Sequence, residues 1–585
     1  MRLLKIIALL ALASLSVSAL AEVVPEKKAA QTAAAFFGST QVQMAPKASS
    51  GAQADAPAFR AYNRDGGGFV VISGNDAVEP VLAYSETGVF PAAEQMPENM
   101  AWWFTQITGM IEAIPATAKA DAAVIARWAD PRIPKTSSNF ELETALWGQG
   151  SPFNNKCPEV GGERCVTGCV ATAASILARY FRWPDAGVGS IPGLTEYGAG
   201  FPAHDLGHTY DWDNMPLIYY SGYTEAQADA VSTLMYDMGT MSRMNYGVNS
   251  SGAFTSDLLA ALREHMKYNK GAYIASRNDY SDAEWTALMK QQLEDCGPVI
   301  YGGYDKGGAG GHQFIIDGYD SQNRFHFNWG WNGGGNCYCW FTSLVPQGSS
   351  YDFAEGQDAL IDLVPDMDGT STYADVMVFY RYPGNPPYGL EASTSSFESN
   401  TTFNCSAGWF YPIASDFKGS VYFSLYDKDG NFKEDISSGI YMEIPSGWIN
   451  KVENVSCKIK GSIEPGDRIK VRFVGKYNEG IISRGEGCTT EIVVLPDDYV
   501  DPAAGYTAAQ TAEATTLRYS KTTHVLSLTC SHPVHLQLLA NNNQLSSATA
   551  AAGQQVDLNL ADLSSGTYTI SIGSPEDPYT FTITR

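Results

Sequence analysis

"GCVATAASILARYF", residues 168–181, sets a glycine and a cysteine directly before a run of small and apolar residues with helical spacing. The pattern predicts a helix that begins at Cys169 and is buried along most of its length. A cysteine is usually packed as a small hydrophobe or held in a disulfide. At the first turn of a helix it meets different physics, because free N–H groups and the positive end of the helix dipole favour thiolate over thiol. The residues after Cys169, VATAASI, are small enough for the helix to pack beneath a cleft without filling it.

A thiolate nucleophile needs an imidazole to share its proton and later protonate the leaving group, and a third group must orient that imidazole. The chain has eight histidines, at 204, 208, 265, 312, 326, 524, 532 and 535. His312 is the best placed, between the flexible run GGAGG and the apolar strand pattern QFIIDGY. Glycines there allow close approach of a substrate backbone, and the strand holds the ring. Further on, the sequence NWGW supplies Asn328 and Trp329. An asparagine oxygen can accept the imidazole N–H and fix its tautomer, and a tryptophan can shield that bond from water. Upstream, WGQGSPFNN contains Gln149, a neutral donor that could stabilise an oxyanion together with the Cys169 N–H. Each of these residues has an ordinary structural role when taken singly. Their joint occurrence, in this order and these contexts, is what points to chemistry.

The 585 residues are too many for one core, and the 56 Gly, 32 Tyr and 12 Trp beside 17% charged residues favour β-rich structure with many turns. The start, MRLLKIIALLALASLSVSALA, has Arg2 and Lys5, an apolar run and small residues ending in Ala21, the pattern of an export signal. No later stretch is long and apolar enough for a membrane span. The net charge of −25, from 38 basic and 63 acidic residues, leaves no basic stripe for nucleic acid. In an oxidising compartment most of the ten cysteines could be paired, with Cys169 and at least one other left as thiols.

Residues 22–135 combine a helical segment, EKKAAQTAAAFFG, with strands in FRAYNRDGGGFVVISGNDAVEPVLAYSETGVF, and then a stretch, AIPATAKADAAVIARWADPRIPKTSSN, expected as an exposed, cleavable linker. Residues 136–365 place helices first and strands later, an α+β arrangement. Residues 366–504 alternate apolar and polar with turns between, as in a β-sandwich, and 505–585 form a further β unit. No repeat of fixed period is evident.

The motifs WGQGSPFN, TGCVATAASILARY, GGHQFIIDGYD and FNWGWNGG resemble those of the streptopain family of secreted bacterial papain-like cysteine proteases, over roughly residues 1 to 365. The 143 residues from Cys169 to His312 also fall in the ~130–150 range of papain-type enzymes. The resemblance implies an α+β papain-like protease domain preceded by an α+β pro-domain, and a secreted zymogen whose pro-domain blocks the cleft as an intramolecular inhibitor. It implies Cys169 as nucleophile, His312 as general base and acid, Gln149 as oxyanion donor, Asn328 as the residue orienting the imidazole, and Trp329 as its cover. Cleavage within about 110–140 would be activation. Substrates would be proteins or peptides, with no cofactor and no metal, at the cell surface, in the periplasm or outside the cell. The chain departs from the plant and animal signature C-G-[SA]-C-[WY], because CVTGCV spaces its cysteines differently and lacks the aromatic. The loop MNYGVNSSG is expected to line the specificity pocket, and the last ~80 residues resemble C-terminal sorting modules.

Zinc ligation around Cys157, Cys165 and Cys169 lacks nearby histidines at metal spacing. DKDGN and DMDG resemble calcium-loop fragments without the closing glutamate and read as turns. The glycine runs lack the lysine of a phosphate loop. Two other readings stay open: a cell-wall peptide hydrolase or transglutaminase, and an exported binding protein with an inert protease-like unit.

Overall fold

The computed structural model describes residues 21–50, 57–120, 122–132, 139–195, 198–304, 311–341, 356–485, 487–495, 506–520, 525–540, 543–559, 567–573 and 578–584. The export signal, apart from Ala21, lies outside the described residues, as does GGAGG apart from Gly311. Among the described residues no helix is long and apolar enough to cross a membrane.

The first unit holds α1 (Glu26–Phe37), the strands β1 (Val42–Ser50), β2 (Phe59–Arg64), β3 (Phe69–Ser73) and β4 (Val81–Ser85), and the helices α2 (Glu98–Glu112) and α3 (Ala122–Ala129). β3 is buried on both faces, which explains its unbroken apolar run FVVIS. Val70 and Ile72 pack with Ala33 and Phe36 of α1, and Phe69 and Val71 pack with Trp103 and Phe104 of α2. The period of two thus divides the strand between two helices.

Next come β5 (Phe140–Glu141), α4 (Cys169–Phe181), α5 (Glu225–Met241), α6 (Thr255–His265), β6 (Tyr273–Ser276), α7 (Asp282–Asp295), β7 (Val299–Tyr304), β8 (Gly311–Tyr319), β9 (Phe325–Asn328), β10 (Cys337–Cys339) and β11 (Gln357–Ile361). The expected helix at Cys169 forms as read, and the mixture of helix and sheet is the α+β arrangement expected. One antiparallel sheet runs β1-β2-β3-β4-β10-β9-β8-β7-β11-β6, with β5 on β8. The expected boundary near residue 135 therefore does not separate two sheets: Tyr338 and Cys339 of β10 pair directly with Tyr84 and Ala83 of β4. Ile300 and Ile315 face α4, α5 and α6, whereas Tyr301, Phe314 and Ile316 face a core shared with α2 and α7.

The stretch expected as an exposed linker contains α3, which is docked rather than free. Arg127 pairs with Glu79, and Trp128 Nε1 donates to Val78 O at 2.8 Å. These two long side chains anchor an otherwise alanine-rich segment, most of whose described residues remain exposed or half-buried.

Beyond residue 366, strands over 377–494 form four-stranded and six-stranded sheets around one apolar core, as a β-sandwich does. This unit is docked on the preceding one: Tyr411 OH donates to Asp279 Oδ2 at 2.9 Å, and the Arg484 guanidinium lies 4.8 Å from the Tyr280 ring centre. A final unit, with α8 (Ala508–Ala514) and two small sheets, encloses its own core. The Asp427 carboxylate of DKDGN accepts the N–H groups of Asp429 and Asn431, as a turn residue does. The pairing that an oxidising compartment would allow for most cysteines is not made, and all ten are free thiols. Large apolar cores leave the fold without need of such staples.

Candidate active site

Gly168 and the loop beneath it decide where α4 begins. Gly168 has φ +85°, and a Cβ there would meet Ser251 O at 2.7 Å and Met244 Sδ at 2.9 Å, so only glycine fits. The loop expected to line the pocket, 244–252, thus packs against the residue before Cys169. Ser251 Oγ ties it down by donating to Val166 O at 2.8 Å. Gln149, half-buried, is held from the other side: its carbonyl accepts the Thr167 N–H at 3.1 Å.

Across from this helix start, the Gln313 N–H donates to Cys169 Sγ at 3.5 Å. Gln313 is fixed by its side chain, whose Nε2 donates to Thr255 Oγ1 of α6 at 2.7 Å. The strand bearing His312 is thereby set beside the sulfur, and His312 pairs in register with Gly303 of β7. Asn328 is fully buried at the end of β9, and its Nδ2 donates to Thr144 Oγ1 at 2.9 Å and to Ala145 O at 3.0 Å, while Oδ1 accepts the Gly330 N–H at 3.1 Å. Trp329 is buried next to it, with Nε1 donating to Gly335 O at 2.9 Å and its ring 4.9 Å from Phe314. Cys169 and the His312 strand are in contact, the Gln149 carbonyl is bonded at Thr167, just before Cys169, and Asn328 and Trp329 lie at the end of the strand paired with the one that carries His312.

Three further residues reach this site from α2, and the sequence reading passed over them. The Trp102 ring lies 5.8 Å from the His312 ring. Its far edge occupies the space over Gly303, where a Cβ would come within 2.2 Å of it, so glycine at 303 is what admits the indole. Asn99, buried, donates from Nδ2 to Gln313 O at 3.1 Å and to Trp329 O at 2.7 Å. Glu98 adds negative charge near Cys169. The signal was present in PENMAWWFTQITGMIE: a proline and a glutamate at a helix start, then apolar residues at helical spacing with paired tryptophans.

The thiol does not behave as the helix start alone would dictate. Burial pushes the Cys169 thiol up, the Gln313 and Val170 N–H groups pull it down, and the Glu98 charge pushes it up again, leaving it above the ordinary cysteine value. With α2 in place, desolvation outweighs the helix N-terminus. Among the described residues no cluster of side chains is arranged to hold a metal ion.

Comparison with known proteins gives two family matches. Residues 147–339 match the peptidase C10 family, and residues 21–111 match the Spi protease inhibitor. Streptopain of Streptococcus pyogenes is 30% identical over 326 residues, 52% of this chain and 80% of its own. The thiol protease/hemagglutinin PrtT of Porphyromonas gingivalis is 32% identical over 344 residues, 55% of this chain and 39% of its own, so the chain spans well under half of that relative. Among solved structures, a prointerpain A fragment of Prevotella intermedia is 30% identical, with a TM-score of 0.44 and coverage of 55% of this chain and 99% of that one.

Proposed function

The chain belongs to the peptidase C10 family, that of the streptopain-like cysteine endopeptidases, and from this we propose that it is an exported zymogen hydrolysing peptide bonds in proteins through a thioacyl intermediate. The observation that carries the reading is the 3.5 Å contact between Cys169 Sγ, at the start of α4, and the N–H of the residue after His312.

In this mechanism Cys169 attacks the peptide carbonyl as a thiolate, its proton having passed to His312. The carbonyl oxygen, now an anion, is held by the Cys169 N–H and the Gln149 side chain. His312 gives its proton to the departing amine, and then takes one from the water that cleaves the thioester and frees the acid. Asn328 orients the imidazole through its oxygen, and Trp329 keeps water from that bond. None of these steps requires a cofactor.

Residues 22–135 act as the intramolecular inhibitor. Support comes from α2, which lays Trp102 against His312, places Asn99 between the chains carrying Gln313 and Trp329, and keeps the thiol in its neutral form. Activation is cleavage within about 110–140. The unit over 136–365 is the protease, and those over 366–504 and 505–585 are accessory β units that bind substrate or surface, or serve export.

The test is to purify residues 22–585 with and without Cys169→Ala and follow intact mass under reducing conditions. The native chain should cut itself in that window and gain activity on casein, while the alanine chain stays whole. If both chains stay whole, and a chain trimmed at the linker is also inactive and does not react with a thiol-directed peptide epoxide, the inert binding-protein reading replaces this one.

A further inference from the structure

A buried polar chain starts at Asn328. Asn328 Nδ2 donates to Thr144 Oγ1, Thr144 Oγ1 donates to Asp317 Oδ2, and Asp317 Oδ1 pairs with His326 Nδ1. Asn328, Thr144 and Asp317 are buried, and the His326 side chain is 13% exposed. Buried ionic groups are weak evidence for stability, since desolvation offsets most of their attraction. What such a chain does provide is direction, because each member fixes which partner donates and which accepts.

A hydroxyl has one proton to donate. Thr144 commits its proton to the Asp317 carboxylate, so toward Asn328 it can only accept. The Asn328 amide therefore has one satisfied orientation, with Nδ2 toward Thr144 and Ala145 O, and Oδ1 on the opposite side, where it meets the Gly330 N–H. Flipped, the carboxamide would set its oxygen against two acceptors and leave its NH2 facing a donor. An imidazole partner must present oxygen to an N–H, so the flip would remove the function assigned to Asn328.

We propose that Thr144 and Asp317 are positioning residues of the peptidase: the Asp317 carboxylate orients the Thr144 hydroxyl, which locks the Asn328 amide with its oxygen available to His312. The inference rests on the role given to Asn328 above. His326 completes the chain. It is faced by Asp317 of β8, Glu141 of β5, and Cys337 and Tyr338 of β10. Burial disfavours its charged form, but the Asp317 and Glu141 carboxylates outweigh this and raise it to about 9. The protonated ring occupies one Asp317 oxygen and leaves the other for Thr144.

The experiment uses full chains matured in trans by a tagged wild-type copy that is then removed, with kcat and KM measured on a peptide substrate. Thr144→Val should lower kcat at least about tenfold with KM changed less than about twofold, as expected for a misoriented catalytic group. Thr144→Ser, which keeps the hydroxyl, should restore most of it. In an Asn328→Ala background, Thr144→Val should cost less than about twofold more, because a residue acting through Asn328 has nothing left to act on. Asp317→Asn, which offers Thr144 a donor instead of an acceptor, gives the same comparison if the valine variant fails to fold. An unchanged kcat, a loss confined to KM, or an equal cost in the presence and absence of Asn328 overturns the inference alone. An inactive wild-type chain, or full activity in Asn328→Ala, overturns the reading of the site and this inference with it.

Discussion

Asn99 Nδ2 donates to the main-chain oxygen of Trp329 at 2.7 Å, and this single bond joins the N-terminal unit to the strand end that carries Asn328. A second bond from the same nitrogen reaches Gln313 O, in the residue that follows His312 and whose N–H contacts Cys169 Sγ. One buried carboxamide thus spans the segments bearing His312 and Asn328.

Replacing Asn99 by alanine removes both bonds, at about 0.5–1.5 kcal/mol each. The closed zymogen should then open more often, and self-processing of residues 22–585 should be about tenfold faster by intact mass. An unchanged half-time would mean that Asn99 does not hold the inhibitor in place.

Cys169→Ala should lower casein hydrolysis at least about a thousandfold, since removing a nucleophile leaves only binding and oxyanion stabilisation. Its circular dichroism and melting temperature should stay close to those of the parent chain. Residual activity within tenfold of the parent would assign the chemistry to another group.

With α2 in place burial holds the Cys169 thiol above its ordinary value, and alkylation requires the thiolate. In the zymogen, the rate of iodoacetamide labelling at Cys169 should therefore rise only at strongly alkaline pH. After removal of residues 22–135 the profile should move to lower pH, with faster labelling at pH 7, read by peptide mass mapping. Superimposable profiles would show that the N-terminal unit does not govern the thiol.

Asp279, buried where Tyr411 and Arg484 of the β-sandwich meet the protease unit, is pushed up to about 6 by burial from an ordinary 3.8. Its native form therefore keeps a proton that the unfolded chain gives up between those values. Stability falls as pH rises from about 4 to about 6, and the cost persists above. Asp279→Asn, which keeps an acceptor for Tyr411 OH, should be more stable than the parent above pH 6, by up to about 3 kcal/mol, with the difference closing below pH 4. Melting temperatures across that range check it.

Local patterns in the sequence determined much of this protein. The helix from Cys169 was readable because VATAASILARYF carries its own periodicity, and β3 because FVVIS is apolar at every position. The candidates Gln149, Cys169, His312, Asn328 and Trp329 were readable because each sits in a distinctive local motif. Tertiary structure alone decided what lies against them. That α3 is docked depends on Glu79 and Val78, some fifty residues upstream. That Trp102 covers His312 depends on Gly303 leaving room for an indole. The state of the thiol depends on both levels for the same reason: a helix N-terminus is visible in one segment, but desolvation is a sum over every segment that packs around the sulfur. Sequence encodes residue type and local geometry directly, whereas burial and hydrogen-bond partners exist only once distant segments have met.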